Sequence, residues 1–299
     1  MKPSAFEYFA PSTVREAVEL LQRHSDEAKI LAGGQSLIPM MNFRVARPKV
    51  LIDINKIKEL DYLREEKDEL VVGSLVRERA LEVSPLVGGK CPILAEAISQ
   101  IGHLPVRTRG TIGGSLVHAD PSAEIPVVIR ALGGRMKVVG PGSERILAAD
   151  EFFLTYLTSA LEPGEILVEV RIPTLPANTG WSFMELSRRH GDFGIVVVAS
   201  ILFMEDEELC RKASIALGGV APTPLRAAAA EKVLAGRKLT EDLIQEAGIK
   251  AAQATDPESD YHASAEYRKD MARVFTQRSL REAWKKVKGG KIKWPSAVE

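Results

Sequence analysis

Apolar positions along this chain follow two rhythms, and each change of rhythm marks an element. Val14, Ala17, Val18 and Leu21 recur at helical spacing behind Pro11-Ser12-Thr13, and Thr13 with Glu16 has the pattern of a capping box. The short run Ile30-Leu31-Ala32 stops at Gly33-Gly34, and after a loop and a second helix residues 50–54 read as another buried strand. This βαβ-like opening predicts an α/β unit. Farther on, Leu70 to Gly73 is strand-like, and Leu94, Ala97, Ile98 and Ile101 line one face of a helix ending at Gly102. Residues 109–115 read as a glycine-rich loop, followed by a helix from about Glu124 to Leu132. Residues 166–172 alternate apolar with charged side chains, the pattern of a half-exposed strand.

Pro173-Thr174-Leu175-Pro176-Ala177-Asn178 is the best candidate linker, because paired prolines interrupt helix and sheet alike. It divides the chain into residues 1–176 and 177–299. In the second part three strands are expected, over 181–186, 195–203 and 209–217. An Ala-rich helix beginning near Leu225, one over 241–254 and a long one over 265–287 follow. Residues 285–293 form a basic tail expected to fray. The whole is α+β, with no internal repeat.

Composition narrows the function. A chain of 299 residues exceeds the usual single domain, and 45% hydrophobic content with a mean hydropathy of −0.04 suits a soluble protein with sizeable cores. Forty basic residues offset forty acidic ones, at a pI near 7.0, so no nucleic-acid partner is expected. The N-terminus lacks the apolar stretch of a secretory signal, and the most apolar segment, 193–204, falls short of the roughly 20 residues that cross a bilayer. A soluble, cytoplasmic protein without a transmembrane segment is the expectation. Cys91 and Cys210 are too few for an iron–sulfur cluster and are expected as buried free thiols. Five scattered histidines offer no metal-binding pair.

Candidate chemistry lies in two glycine pairs. Ala32-Gly33-Gly34-Gln35-Ser36 follows a strand; Thr111-Ile112-Gly113-Gly114-Ser115 repeats the pattern of paired glycines with flanking hydroxyls. Either alone reads more readily as a tight turn. Together, two such loops facing each other would make anion nests able to hold the two phosphates of a dinucleotide without a lysine. Glu124 stands just downstream, where a carboxylate would accept from ribose hydroxyls. The fingerprints GxGxxG, GxxxxGK[ST] and GxSxG are absent, which disfavours a Rossmann nicotinamide site, a P-loop and a nucleophile elbow.

At these loops the chain resembles a known family. AGGQSLIPMM followed by GTIGGSLVHADPSAEIP is similar to the FAD subunit of molybdenum hydroxylases, most like the medium-subunit group of aerobic carbon monoxide dehydrogenases within the xanthine dehydrogenase family. The likeness continues through GEILVEVRIP, SRRHGDFGIVVVA, SIALGGVAPTPLRA and SAEYRKDMARV, covering nearly the whole chain. It implies a two-lobed FAD-binding domain of the vanillyl-alcohol-oxidase (PCMH) type, with lobes of about 1–56 and 57–176. A C-terminal domain with a three-stranded antiparallel sheet and helices would follow. It further implies FAD as cofactor, with Ala32, Gly33, Gly34, Gln35, Ser36 and Leu37, and Thr111, Ile112, Gly113, Gly114 and Ser115, at the pyrophosphate. Glu124 would lie near the ribose and Leu167 near the flavin or adenine. Gly191, Asp192 and Phe193 would lie close to the isoalloxazine, with the ring of Phe193 covering one face.

The implied role is electron transfer from 2Fe–2S clusters through FAD to an external acceptor, NAD, quinone or oxygen. The implied partners are a molybdenum-cofactor large subunit and a 2Fe–2S small subunit. Such a subunit needs no catalytic side chain of its own, because the flavin carries the redox chemistry. Three positions depart from the family's habit: Ser115 where Asn is common, Pro105-Val106 where Gln-Ile precedes the arginine, and Met184-Glu185 where a lysine often stands. The cysteine-rich insertion of a thioester-reducing subfamily is missing. Two other readings stay open: a stand-alone flavin oxidase, which would need its own substrate pocket in the small second domain, and a scaffold without cofactor. His118 reads as a loop histidine bonding the local backbone, and Glu185 as a strand carboxylate facing water. At most one of Arg188 and Arg189 is expected to face the flavin, since adjacent strand residues point oppositely.

Overall fold

The computed structural model describes residues 2–288. Its first lobe runs β1 (Glu7–Phe9), α1 (Val14–His24), β2 (Ala28–Leu31), α2 (Leu37–Asn42) and β3 (Val50–Asp53). The sheet order is β1-β3-β2, with both neighbours parallel to β3, so the βαβ expectation holds. Strand β1 carried no signal, since its three residues are largely exposed and show no alternation. Helix α1 buries Ala17, Val18 and Leu21 against Val50 and Ile52 of β3. Thr13 accepts from the Glu16 N–H at 3.2 Å, but the Glu16 carboxylate accepts from Ser12 N–H at 2.7 Å, one residue before the expected partner.

The second lobe contains β4 (Leu63–Glu66), β5 (Glu69–Gly73), α3 (Glu78–Glu82), α4 (Pro85–Lys90), α5 (Pro92–Gln100), α6 (Leu104–Arg107), α7 (Ile112–His118) and α8 (Glu124–Leu132). It continues through β6 (Arg135–Gly140), β7 (Ser143–Ala148), α9 (Ala149–Phe152), the ribbon β8 (Phe153–Thr155) with β9 (Thr158–Ser159), and β10 (Ile166–Pro173). An antiparallel five-stranded sheet in the order β4-β5-β10-β6-β7 places β10 in its centre. The expected half-exposed strand is therefore wrong. Ile166 and Val168 enter the core of the first lobe, while Leu167, Val170 and Ile172 enter that of the second. A bulge between Leu167 and Glu169 resets the alternation. Glu169 is tolerated inside because Tyr62 Oη donates to it at 2.6 Å and Arg171 Nε at 2.7 Å.

The remaining elements are β11 (Thr179–Leu186), β12 (Val196–Met204), β13 (Leu209–Gly218), β14 (Leu225–Arg226), α10 (Ala228–Leu234), β15 (Arg237–Lys238), α11 (Glu241–Gln253) and α12 (Ala265–Lys288). Three long antiparallel strands form the body of this sheet, and the short β14 and β15 both pair with β13. The Ala-rich helix starts at Ala228, because Leu225–Arg226 first pairs with β13. Strand β12 reads as one continuous apolar run because both its faces are covered. Val197, Ala199 and Ile201 join the core of the second lobe, and Val196, Val198 and Leu202 pack under α10, α11 and α12.

Cys91 and Cys210 are buried free thiols in these two cores. Residues 285–288 of the expected basic tail continue α12; the rest lies outside the described residues. Among the described residues no helix is long and apolar enough to cross a membrane.

Helix α12 lies so close to β11 that a Cβ on Gly180 would collide with the Ala283 carbonyl oxygen and with Val287 Cγ2 2.6 Å away. Lys286 extends this seam: its ammonium sits 3.3 Å from the Trp181 ring centroid and 3.0 Å from Glu96 of α5. Gly180→Ala is expected to destabilise the fold by about 1–3 kcal/mol, the usual cost of overpacking, read as a fall in the urea midpoint. An unchanged midpoint would mean that the seam is looser than described.

Candidate cofactor site

The two glycine segments meet. A Cβ built on Gly33 would stand 2.5 Å from the Arg109 carbonyl oxygen and 2.9 Å from Gly110 Cα, and one on Gly114 would lie 3.9 Å from Ala32 Cβ. Only glycine at position 33 permits this approach. Gly34 has φ +71°, the left-handed region that favours glycine.

Their hydrogen bonding differs. In the first segment the N–H groups of Gly33, Gly34, Gln35 and Ser36 find no acceptor among the described residues, while the Gln35 side chain donates to Gly33 O at 3.0 Å. Consecutive free amides in a glycine turn are the backbone geometry that an anion nest requires.

The second segment is not the expected loop. Thr111 is the N-cap of α7, so Gly113, Gly114 and Ser115 form its first turn. Ile112 N–H donates to Val76 O at 3.2 Å, Gly113 N–H to Ser74 O at 3.0 Å, Gly114 N–H to Thr111 Oγ1 at 3.1 Å, and Ser115 N–H to Thr111 O at 3.0 Å. Those amides are engaged, which corrects the reading of this segment as a second amide nest. What it offers is a bare glycine surface, the half-buried Ser115 and the positive end of a short helix. A Cβ on Gly113 would strike Ser74 at 2.6 Å, so that glycine serves packing. His118 ends α7 rather than lying in a loop.

A side-chain chain ties the two segments, and sequence reasoning missed it. Arg77 Nη1 donates to Arg109 O at 2.5 Å and Nη2 to Asn55 Oδ1 at 2.6 Å; Asn55 Nδ2 donates to Ala32 O at 2.8 Å. Asp53 holds Asn55 through its N–H at 2.9 Å and accepts from Tyr8 Oη at 2.6 Å. Burial alone would raise the Asp53 carboxyl, but these hydrogen bonds outweigh it and hold it below its ordinary value. Only the position of Asn55, just past a strand, hinted at a turn role.

Three carboxyls stand close behind. Glu78, 5% exposed, lies directly beneath Gly110 with Oε2 unpartnered, and burial pushes it up to about 8. Glu124, 9% exposed at the start of α8, is pushed up to about 8, first by burial and then by the charges of Glu185, Glu78 and Asp120. It thus holds its proton at neutral pH and would donate as well as accept. Glu185 does not face water as expected: its Oε2 is buried without a partner and burial pushes it up to about 7.

Leu167 is buried in the second-lobe core, covered by protein. Phe193 is 68% exposed. It belongs with Asp192 to the connection between β11 and β12, where Arg188 and Arg189 are both exposed and outside the strand. That connection packs on the turn before α6 through Gly191, whose Cβ would stand 2.7 Å from the ring of His103, the residue preceding α6. Leu37 and Ser36 open α2 beside the first segment.

Comparison with known proteins gives this geometry its class. Residues 4–175 match the family described as FAD binding domain in molybdopterin dehydrogenase, and residues 181–283 match the CO dehydrogenase flavoprotein C-terminal domain. The chain belongs to this family of FAD-binding oxidoreductase subunits. It is 40% identical over 283 residues to the 6-hydroxypseudooxynicotine dehydrogenase complex subunit alpha of Paenarthrobacter nicotinovorans, covering 95% of this chain and 96% of that one. It is also 40% identical over 285 residues to the carbon monoxide dehydrogenase medium chain of Hydrogenophaga pseudoflava, covering 95% and 99%. A solved structure of carbon monoxide dehydrogenase from that organism superposes with a TM-score of 0.93 at 41% identity, over 95% of this chain and 99% of the other.

The buried Glu78 carboxyl gives a stability test. Unfolded, it releases its proton near its ordinary value of 4.5; folded, near about 8. Between those values the folded state binds more protons, so this group's contribution to stability falls as pH rises, by at most about 1.4 kcal/mol per pH unit. Glu78→Gln is expected to flatten stability between pH 5 and 8 and to raise it at pH 8, measured by urea unfolding. Parallel profiles for the two proteins would contradict this.

Proposed function

We propose that this chain is the FAD-carrying electron-transfer subunit of a molybdenum hydroxylase, with a molybdenum-cofactor subunit and a 2Fe–2S subunit as partners. The observation that carries the reading is the meeting of Gly33 with Arg109–Gly110 beside four free amides. Bound there, FAD would supply the conversion of electrons arriving singly from 2Fe–2S clusters into a pair for an external acceptor such as NAD, quinone or oxygen.

The chain's own residues bind and orient. Within the stretch Ala32, Gly33, Gly34, Gln35, Ser36 and Leu37, the four free amides of residues 33–36 offer backbone donors to a pyrophosphate. Thr111, Ile112, Gly113, Gly114 and Ser115 offer a surface without side-chain bulk and one hydroxyl. Glu124, protonated and uncharged at neutral pH, serves a ribose hydroxyl without repelling the phosphates. Leu167 supports the apolar wall from within the core. Asp192 and the exposed Phe193 stand on the connection that closes over the isoalloxazine side, where an aromatic ring excludes water.

The test is to incubate the purified chain with FAD, desalt it, record the visible spectrum and identify the released cofactor by chromatography. Retention of FAD is expected, and a well-folded sample without flavin, alone and with its partners, would overturn the proposal. Gly114→Val puts a Cβ 2.8 Å from Thr111 Oγ1 and 3.9 Å from Ala32 Cβ and is expected to lower FAD affinity at least about tenfold, a clash on the 1–3 kcal/mol scale. Normal flavin occupancy in a folded variant would remove the second segment from the site.

A further inference from the structure

Between the two glycine segments stands a guanidinium that forms no ion pair with a described carboxylate; the Asp53 carboxylate is held one hydrogen bond away, on Asn55. Both recorded partners of the Arg77 side chain are neutral, the Arg109 carbonyl and the Asn55 amide oxygen, and no described carboxylate forms an ion pair with it. Its backbone also bridges to Thr111, the N-cap of α7, so one residue supports the second segment twice. Through Asn55 Nδ2 it holds Ala32 O of the first. The Arg109 carbonyl that accepts its proton is the atom against which Gly33 packs. A free carbonyl dipole at that point would repel a phosphate; one bonded to a cation does not.

We propose that Arg77 is the positioning residue of the dinucleotide site: with Asn55 it clamps the two glycine segments at a fixed spacing and supplies the positive charge that the glycine segments themselves lack. This rests on the FAD reading above and names the residue that makes the site selective for a diphosphate. Arg suits the role because its planar fork serves two acceptors at once, while the ammonium of Lys is a point charge. Asn55→Ala breaks the link to Ala32 and leaves the charge in place. Arg77→Met removes both, and Arg77→Lys keeps the charge alone.

The test uses the full chain and titrates FAD, with ADP and adenosine as competing probes, at low and high salt. The melting temperature of each flavin-free protein is read in parallel. Arg77→Met is expected to weaken FAD and ADP together by about ten- to hundredfold, the range for a hydrogen bond to a charged group. It should leave adenosine unaffected and reduce the salt dependence. Arg77→Lys is expected to restore the salt dependence but not the full affinity, and Asn55→Ala to weaken FAD while retaining the salt dependence. Unchanged FAD and ADP affinity in Arg77→Met would overturn the proposal. So would equal weakening of adenosine and ADP with a matching fall in melting temperature, the sign of a purely structural residue. Wild-type protein that binds neither FAD nor ADP would instead overturn the cofactor reading itself.

Discussion

The Arg109 carbonyl oxygen packs against Gly33 at a distance no larger side chain allows, and the geometry of the site follows from that contact. It joins a segment leaving β2 in the first lobe to one entering α7 in the second. The two lobes have separate sheets, and without this approach the free amides of residues 33–36 would face open solvent. Strand β10 keeps the lobes in register from below, since its two faces belong to different cores. Its residue Val168 also accepts from Ser74 N–H, and the carbonyl of the same Ser74 accepts from Gly113 N–H. The spacing of the glycine segments is thus held at the top by a backbone contact and below by a shared strand.

Much of this was legible from local pattern, and the failures have a common cause. Helix α8 begins and ends where its apolar face, Glu124 and Gly133 place it, and the three long C-terminal strands lie within two residues of their expected limits. The glycine pairs were visible, but their meeting was a conjecture until Gly33 was seen against Arg109. Helix α7 was read as a loop because paired glycines are poor helix formers. Its cap at Thr111 and the tertiary acceptors at Ser74 and Val76 override that local preference. The face of β10 was misjudged because charged residues inside it, Glu169 and Arg171, pair with each other and with Tyr62. Arg77 and Asn55 lie 22 positions apart, in connections that follow strands of different sheets, so their contact has no signature at any local spacing.

Electrostatics explains how an anion site can coexist with three carboxyls. Ionised, Glu78, Glu124 and Glu185 would place negative charge behind the segments meant for a diphosphate. Burial raises each of them, joined at Glu124 by the charges of its neighbours, so that Glu78 and Glu124 are largely neutral at pH 7. The same burial costs stability, and that cost sits at the site rather than in the cores, where Glu169 is fully paired. No lysine stands at Met184-Glu185 to pair with one of these groups. With none there, Glu185 keeps a value of about 7, the carboxyl of the three nearest to titrating at neutral pH. The strand that carries it leads directly into the exposed connection of Asp192 and Phe193, and Gly194 of that connection packs against the Glu185 side chain, where an added Cβ would stand 3.5 Å from its carboxyl carbon.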